Sequence, residues 1–153
     1  SRYCHPEQFF DVTANQFGSL SGGAMVAAMS GWIGENFTYD ISVSDFQTTA
    51  HDSLQIRAGV CRDYAHVLIA MARAVAVPAR IVSAYGLHVS PQDFHAIVEV
   101  FLDGAWYLVD PTGMAKGEEI VRIGVGRDAS DISFLTSFGL VELRNQSVEV
   151  FEK

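Results

Sequence analysis

The chain has 153 residues, 49% of them hydrophobic, with 18 acidic against 10 basic residues and a formal charge of -8. That length suits one domain with its own core. No apolar run approaches the roughly 20 residues of a membrane span, and Arg57, Arg62, Arg73, Arg80, Arg122 and Arg127 stand singly, so neither a membrane nor nucleic acid is expected as a partner.

Cys4 and Cys61 are the two cysteines, too few for a disulfide framework in a chain of this size, and a reducing, cytoplasmic setting is expected. The chain opens at Ser1 with no methionine and no signal-like segment, which reads as a piece of a longer protein.

Residues 1–21 carry no steady period and read as an irregular opening segment. Met25, Met29, Trp32 and Ile33 then share one helical face, predicting a helix that stops near Asn36, before the β-rich FTYDISV. Thr48 or Thr49 can cap a short second helix and Gly59 can stop it, which leaves Cys61 at a junction. Tyr64, Leu68, Met71, Ala72 and Val75 continue one stripe up to Pro78, so the spacing predicts a helix over 61–76. Beyond Pro78 the period falls to two, and ARIVSAYGL, FHAIVEVFL, AWYLVD, EIVRIGVG and SVEVF all read as strands. Helices followed by an antiparallel sheet define an α+β fold.

A thiol is a weak nucleophile until it ionises, and the unpaired N–H groups and dipole of a helix's first turn favour an anion. Cys61 holds that position, and Gly59 lets the backbone turn tightly into the helix. Buried filler is the competing reading, because Cys61 shares a helix face with Tyr64, Ala65 and Leu68, and free cysteine is among the most buried residue types.

A base changes the balance. Asp103-Gly104 lies between two strand-like runs and predicts a two-residue hairpin turn. Its register pairs Leu102 with Ala105, Phe101 with Trp106, Glu99 with Leu108 and Ile97 with Asp110, which makes His95 and Asp110 diagonal neighbours on one face. A carboxylate on one ring nitrogen fixes the tautomer and leaves the other nitrogen free to take a proton. His5, His51 and His88 lie in or near irregular sequence, and His66 is off the Cys61 face of its helix. No short-spaced ligand pair or Cys-x-x-Cys occurs, so no metal site is expected.

The stretches GVCRDYAHVLIAMARAVAVPARIVSAYG, DFHAIVEVFLDGAWYLVDPTG and VRIGVGRDASD resemble the core of the transglutaminase-like cysteine enzymes, over about Trp32 to Asp131. Carried over position by position, the resemblance implies Cys61 as nucleophile, His95 as base and Asp110 as its orienter. It implies a papain-like plan, with the cysteine-bearing helix packed on the sheet that bears the other two residues. It also implies a peptide or protein substrate, no cofactor, and a β-rich domain ahead of SRYC, as bacterial members commonly carry. Ile97 departs from the pattern, since many relatives have tryptophan there, and a changed pocket wall is expected. GRDASD resembles a recurrent bacterial piece, and Arg127, Asp128 and Asp131 read as a loop held by hydrogen bonds.

Thiol acyl transfer is the chemistry expected of such a triad. Water as acceptor gives a peptidase or amidase, a lysine amine gives a transglutaminase, and a non-catalytic binding domain would keep the fold as scaffold; hydrolysis of a peptide-type amide is the favoured reading. The Cys61 backbone N–H is one expected oxyanion donor. Gln55 is a candidate for the second, against a plain role as an exposed helix residue, and Trp32 and Tyr64 can equally serve the core.

Overall fold

In a computed structural model, which describes residues 1–152, the helical part of the chain precedes a four-stranded antiparallel sheet. The helices are α1 (Phe10–Phe17), α2 (Gly22–Asn36), α3 (Ala50–Ile56) and α4 (Cys61–Ala74). Helix α1 corrects the expectation of an irregular opening segment: it buries only Thr13 and Phe17, too few positions to show as a stripe. Helix α2 ends at Asn36, as its face predicts.

Thr49 caps α3 with a reciprocal pair of bonds, its hydroxyl accepting from the Asp52 N–H at 3.2 Å and the Asp52 carboxylate accepting from the Thr49 N–H at 2.9 Å. The stop differs from the expected Gly59. Arg57 ends the helix in the left-handed region at φ 53, and Gly59 lies further on at φ 156. Glycine is needed there for a close approach, because a Cβ would stand 2.6 Å from Asp63 Oδ2.

Helix α4 is the centre of the molecule. Every residue from Asp63 to Ala72 is buried, as befits a helix packed on several sides, with α1, α2 and α3 and the strands of the sheet around it. Burying Leu68, Ile69 and Met71, all fully enclosed, contributes about 1.5–3 kcal/mol each. The helix stops at Ala74, two residues short of the prediction, because Ala76 turns the chain at φ 60 ahead of Pro78.

Two short strands, β1 (Thr38–Tyr39) and β2 (Ala58–Gly59), pair in parallel just before α4. The main sheet holds β3 (Ala79–Gly86), β4 (His95–Leu102), β5 (Ala105–Val109) and β6 (Ile120–Gly126) in the order β5-β4-β3-β6. Asp103 at φ 49 and Gly104 at φ 84 make the β4–β5 turn, both positive as a tight hairpin of the right twist requires. Its register is the predicted one, with Leu102 opposite Ala105, Phe101 opposite Trp106 and Glu99 opposite Leu108.

One face of the sheet sends Ile81, Val98 and Val100 into the core around α4. On the other face Val82, Ala84 and Ile97 form a second buried cluster with Leu108 and Ile120. Ile97 is therefore core and not a pocket wall, a correction whose cause is the segment after Asp110. That segment folds back over this face, with Ala115 so close to Gly86 that a Cβ there would come within 3.0 Å of it.

The last predicted strand, SVEVF, does not form. Alternation makes a strand only where a neighbouring backbone pairs with it, and here the Gln92 side chain takes both backbone groups of Val150, donating to its carbonyl at 2.9 Å and accepting from its N–H at 3.0 Å. The GRDASD loop is held as expected. Arg127 donates to Asp131 from its backbone and its guanidinium, each at 2.8 Å, while buried Asp128 accepts from Arg2 N–H, Ser130 N–H and the Ser1 hydroxyl. Among the described residues no helix is long and apolar enough to cross a membrane.

Candidate active site

The backbone around Cys61 is fixed before any chemistry is considered. The Val60 N–H donates to Asp63 Oδ2 at 2.9 Å, and the Val60 carbonyl accepts from Asp63 and Tyr64 N–H at 2.8 and 3.1 Å, so the first turn of α4 is closed on itself. Asp63 is fully buried and paired with Arg62 at 2.9 Å, and Arg62 reaches on to the Ser44 hydroxyl, also at 2.9 Å. From the other side the β1–β2 pairing sets Tyr39 opposite Gly59. Both cysteines are free; Cys61 is part-exposed, whereas Cys4 is buried and its burial pushes the thiol up to about 12.

His95 opens β4, and Asp110 follows the last residue of β5. The diagonal relation read from the hairpin becomes a hydrogen bond from His95 Nε2 to Asp110 Oδ2 at 2.8 Å, between side chains only 1% and 2% exposed. Asp110 is itself held by its local turn. Its Oδ1 accepts from Thr112 N–H at 2.9 Å and Thr112 Oγ1 at 2.7 Å, and its Oδ2 also accepts from Ala115 N–H at 2.9 Å. Burial alone would draw the Asp110 carboxyl up; the bonds from His95 and Thr112 outweigh it and hold the group below its ordinary range.

Burial likewise disfavours a charged ring at His95. The bond to Asp110, the nearby Cys61 thiol and the negative charge of both partners outweigh that cost and push His95 up to about 9. With Nε2 engaged by Asp110, Nδ1 is the ring nitrogen left for the thiol. The structure thus brings Cys61, His95 and Asp110 together in one place.

Gln55 is not among the polar groups that act on this trio; it sits on the exposed side of α3. Tyr64 is buried and Trp32 packs edge-on to Phe17 and Phe37, so both serve the core. The residue missing from the sequence reading is Tyr39. Its backbone pairs with Gly59 two residues ahead of Cys61, its ring lies 6.1 Å from that of Tyr64, and partial burial followed by the charge of Cys61 pushes its hydroxyl up to about 12. A strand of two residues in parallel pairing leaves no alternation to read, so only a fold-level comparison of loops beside the cysteine could have found it. Among the described residues no three His, Cys, Asp or Glu side chains converge as a metal ion would need.

A cysteine at the head of a buried helix, packed on an antiparallel sheet that carries a hydrogen-bonded histidine and aspartate, is the α+β plan of the transglutaminase-like fold. Residues 11–111 match the transglutaminase-like superfamily, and the chain belongs to it. The match begins ahead of Trp32 and ends just past Asp110, so it takes in all three candidate residues. The solved structure of a candidate cysteine protease from Cytophaga hutchinsonii is similar at 37% identity and a TM-score of 0.84, over 87% of this chain and 46% of its own. The uncharacterised protein ML0607 of Mycobacterium leprae is 29% identical over 118 residues, which are 71% of this chain and 42% of that protein. LapG of Legionella pneumophila, at 13% identity and a TM-score of 0.54, shares the fold. The chain spans less than half the length of the first two relatives.

Proposed function

We propose that this domain is a thiol-dependent acyl-transfer enzyme that hydrolyses peptide-type amide bonds, with Cys61 as nucleophile, His95 as acid and base, and Asp110 as the group that orients His95. The observation that carries the reading is the buried 2.8 Å bond between His95 and Asp110 beside a cysteine at a helix head. His95 Nδ1 takes the thiol proton, and the sulfur attacks the carbonyl carbon as the carbonyl π electrons move onto oxygen. When the intermediate collapses, the C–N bond breaks, the amine leaves with the proton from His95, and a thioester remains on Cys61. Water, deprotonated by the same imidazole, then attacks the thioester and releases the acid.

A base raised to about 9 holds its proton at neutral pH, which suits a thiolate partner in the attacking step and a ready acid in the next. The backbone N–H of Cys61, at the first position of α4, serves in this reading as one oxyanion donor; one such donor is worth about 2.7–4 kcal/mol in comparable sites. Water as acceptor is supported by the similarity to the candidate protease from Cytophaga hutchinsonii.

Incubation with denatured casein and a fluorescent primary amine separates the outcomes. Release of new amino termini that depends on Cys61 is the expected result. Incorporation of the amine into casein without cleavage would move the assignment to transamidation, which uses the same three residues.

A further inference from the structure

The loop that leads into His95 holds a stretch of peptide. Gln92 grips both backbone groups of Val150 with its carboxamide, Nε2 donating to the carbonyl at 2.9 Å and Oε1 accepting from the N–H at 3.0 Å, while the same Nε2 reaches the Leu87 carbonyl at 3.4 Å. Gln92 stands only three residues ahead of His95, and three residues of chain span at most about 10 Å, so the clasp lies beside the catalytic imidazole. Asp93, next in line, accepts from the Gln146 side chain and from the Phe94 N–H. An apolar wall adjoins the clasp. The Phe94 ring lies 5.3 Å from that of Tyr85, Val121 stands opposite Tyr85, and Ala84, next to Tyr85, pairs with His95 across the sheet. With residues 147–151 these side chains line an open cleft of about 440 Å³.

Two features mark the held segment as a ligand of the fold and not as part of it. The carboxamide takes backbone groups alone, a contact that any extended peptide offers whatever its side chains, as in recognition by strand addition. The segment also covers the wall poorly: Phe94, Val121 and Phe151 stay 37%, 61% and 76% exposed with it in place, and within 147–151 only Val148 and Val150 are half-buried. Apolar surface left open in this way marks a binding face. We propose that Gln92, with the wall of Tyr85, Phe94 and Val121, is a docking site for an extended stretch of the peptide substrate, and that the chain's own residues 147–151 are its resting occupant, displaced when substrate binds. The wall favours apolar side chains at alternate positions, the spacing of Val148 and Val150. A tethered occupant competes at an effective concentration set by its linker, so it raises KM for peptides and leaves a small ester unaffected.

The role in substrate binding rests on the thiol-enzyme reading, and two readouts keep the site and the chemistry apart. In Cys61→Ala, where nothing is turned over, hydrogen exchange of the Val150 amide followed by NMR reports occupancy without catalysis. That amide is expected to exchange about tenfold faster when Gln92→Ala is added, and likewise when denatured casein is added. In the active enzyme, Val150→Pro removes the N–H that donates to Gln92. It is expected to lower KM for casein about fivefold, with kcat and acylation by p-nitrophenyl acetate within about twofold of wild type, and Gln92→Ala on top of it should raise KM again. An amide that casein leaves protected would overturn the proposal, because the segment would then be a fixed strap. An unchanged KM at either step would overturn it too. Casein that displaces the segment yet is never cleaved by wild type would defeat the hydrolytic reading and leave the peptide-docking site standing.

Discussion

Cys61→Ala is expected to reduce acyl transfer on the order of 10⁵-fold while leaving the protein folded, the scale seen when the nucleophile of a triad is removed. The effect on stability should be small, because Cys61 is part-exposed and the first turn of α4 is closed by Asp63 and Val60 without it. The check is the acylation burst with p-nitrophenyl acetate beside a urea unfolding curve. Acylation that persists in Cys61→Ala would place the nucleophile elsewhere, and Cys4, buried at 1% exposure, offers no substitute.

Asp110→Asn is expected to lower turnover by about 10³-fold or more and to destabilise the fold at the same time. The catalytic part follows from the tautomer: a carboxylate accepts from His95 Nε2–H, whereas an amide can present its NH₂ and leave Nε2 as the acceptor, with the proton on the nitrogen meant for Cys61. The structural part follows from counting donors. Thr112 N–H points at Oδ1 and Ala115 N–H at Oδ2, so whichever way an asparagine is turned, its NH₂ faces one backbone donor. An unsatisfied buried N–H costs about 1–3 kcal/mol.

This second loss carries a pH signature. The fold raises His95 to about 9, above its ordinary 6.5, so the stability from its protonation is fully present below pH 6.5 and is lost as pH rises through 9. The stability gap between wild type and Asp110→Asn should therefore be widest near pH 5.5–6.5 and narrow toward pH 9. A gap that is constant or widens over that range would contradict the coupling of Asp110 to a protonated His95.

Much of the site was legible because it is built from regular elements. The apolar spacing from Tyr64 through Leu68, Met71 and Ala72 marked α4, which ends at Ala74, and Cys61 stands at its first position. Asp103 and Gly104 both accept positive φ, which made the turn type and thus the register readable; the register then carried His95 to Asp110. What escaped lacks period or depends on contacts distant in sequence. Helix α1 hides because it buries two side chains, and Tyr39 because β1 is too short to alternate. SVEVF shows the converse: alternation was present, but Gln92 had already claimed the Val150 backbone. Ile97 was misplaced because the covering of the outer sheet face by the segment after Asp110 is written in the path of a loop, which side-chain pattern does not report.

The central claim is that His95 activates Cys61, and the pH dependence of Cys61 alkylation in the native protein tests it most directly. Cys4 stays silent in the assay, since burial pushes its thiol up to about 12. The account predicts fast iodoacetamide labelling at pH 6 that is lost in His95→Ala. Labelling that rises only toward the ordinary thiol range near pH 8.5, with the same profile in wild type and His95→Ala, would contradict it and leave a domain that keeps the fold without the chemistry.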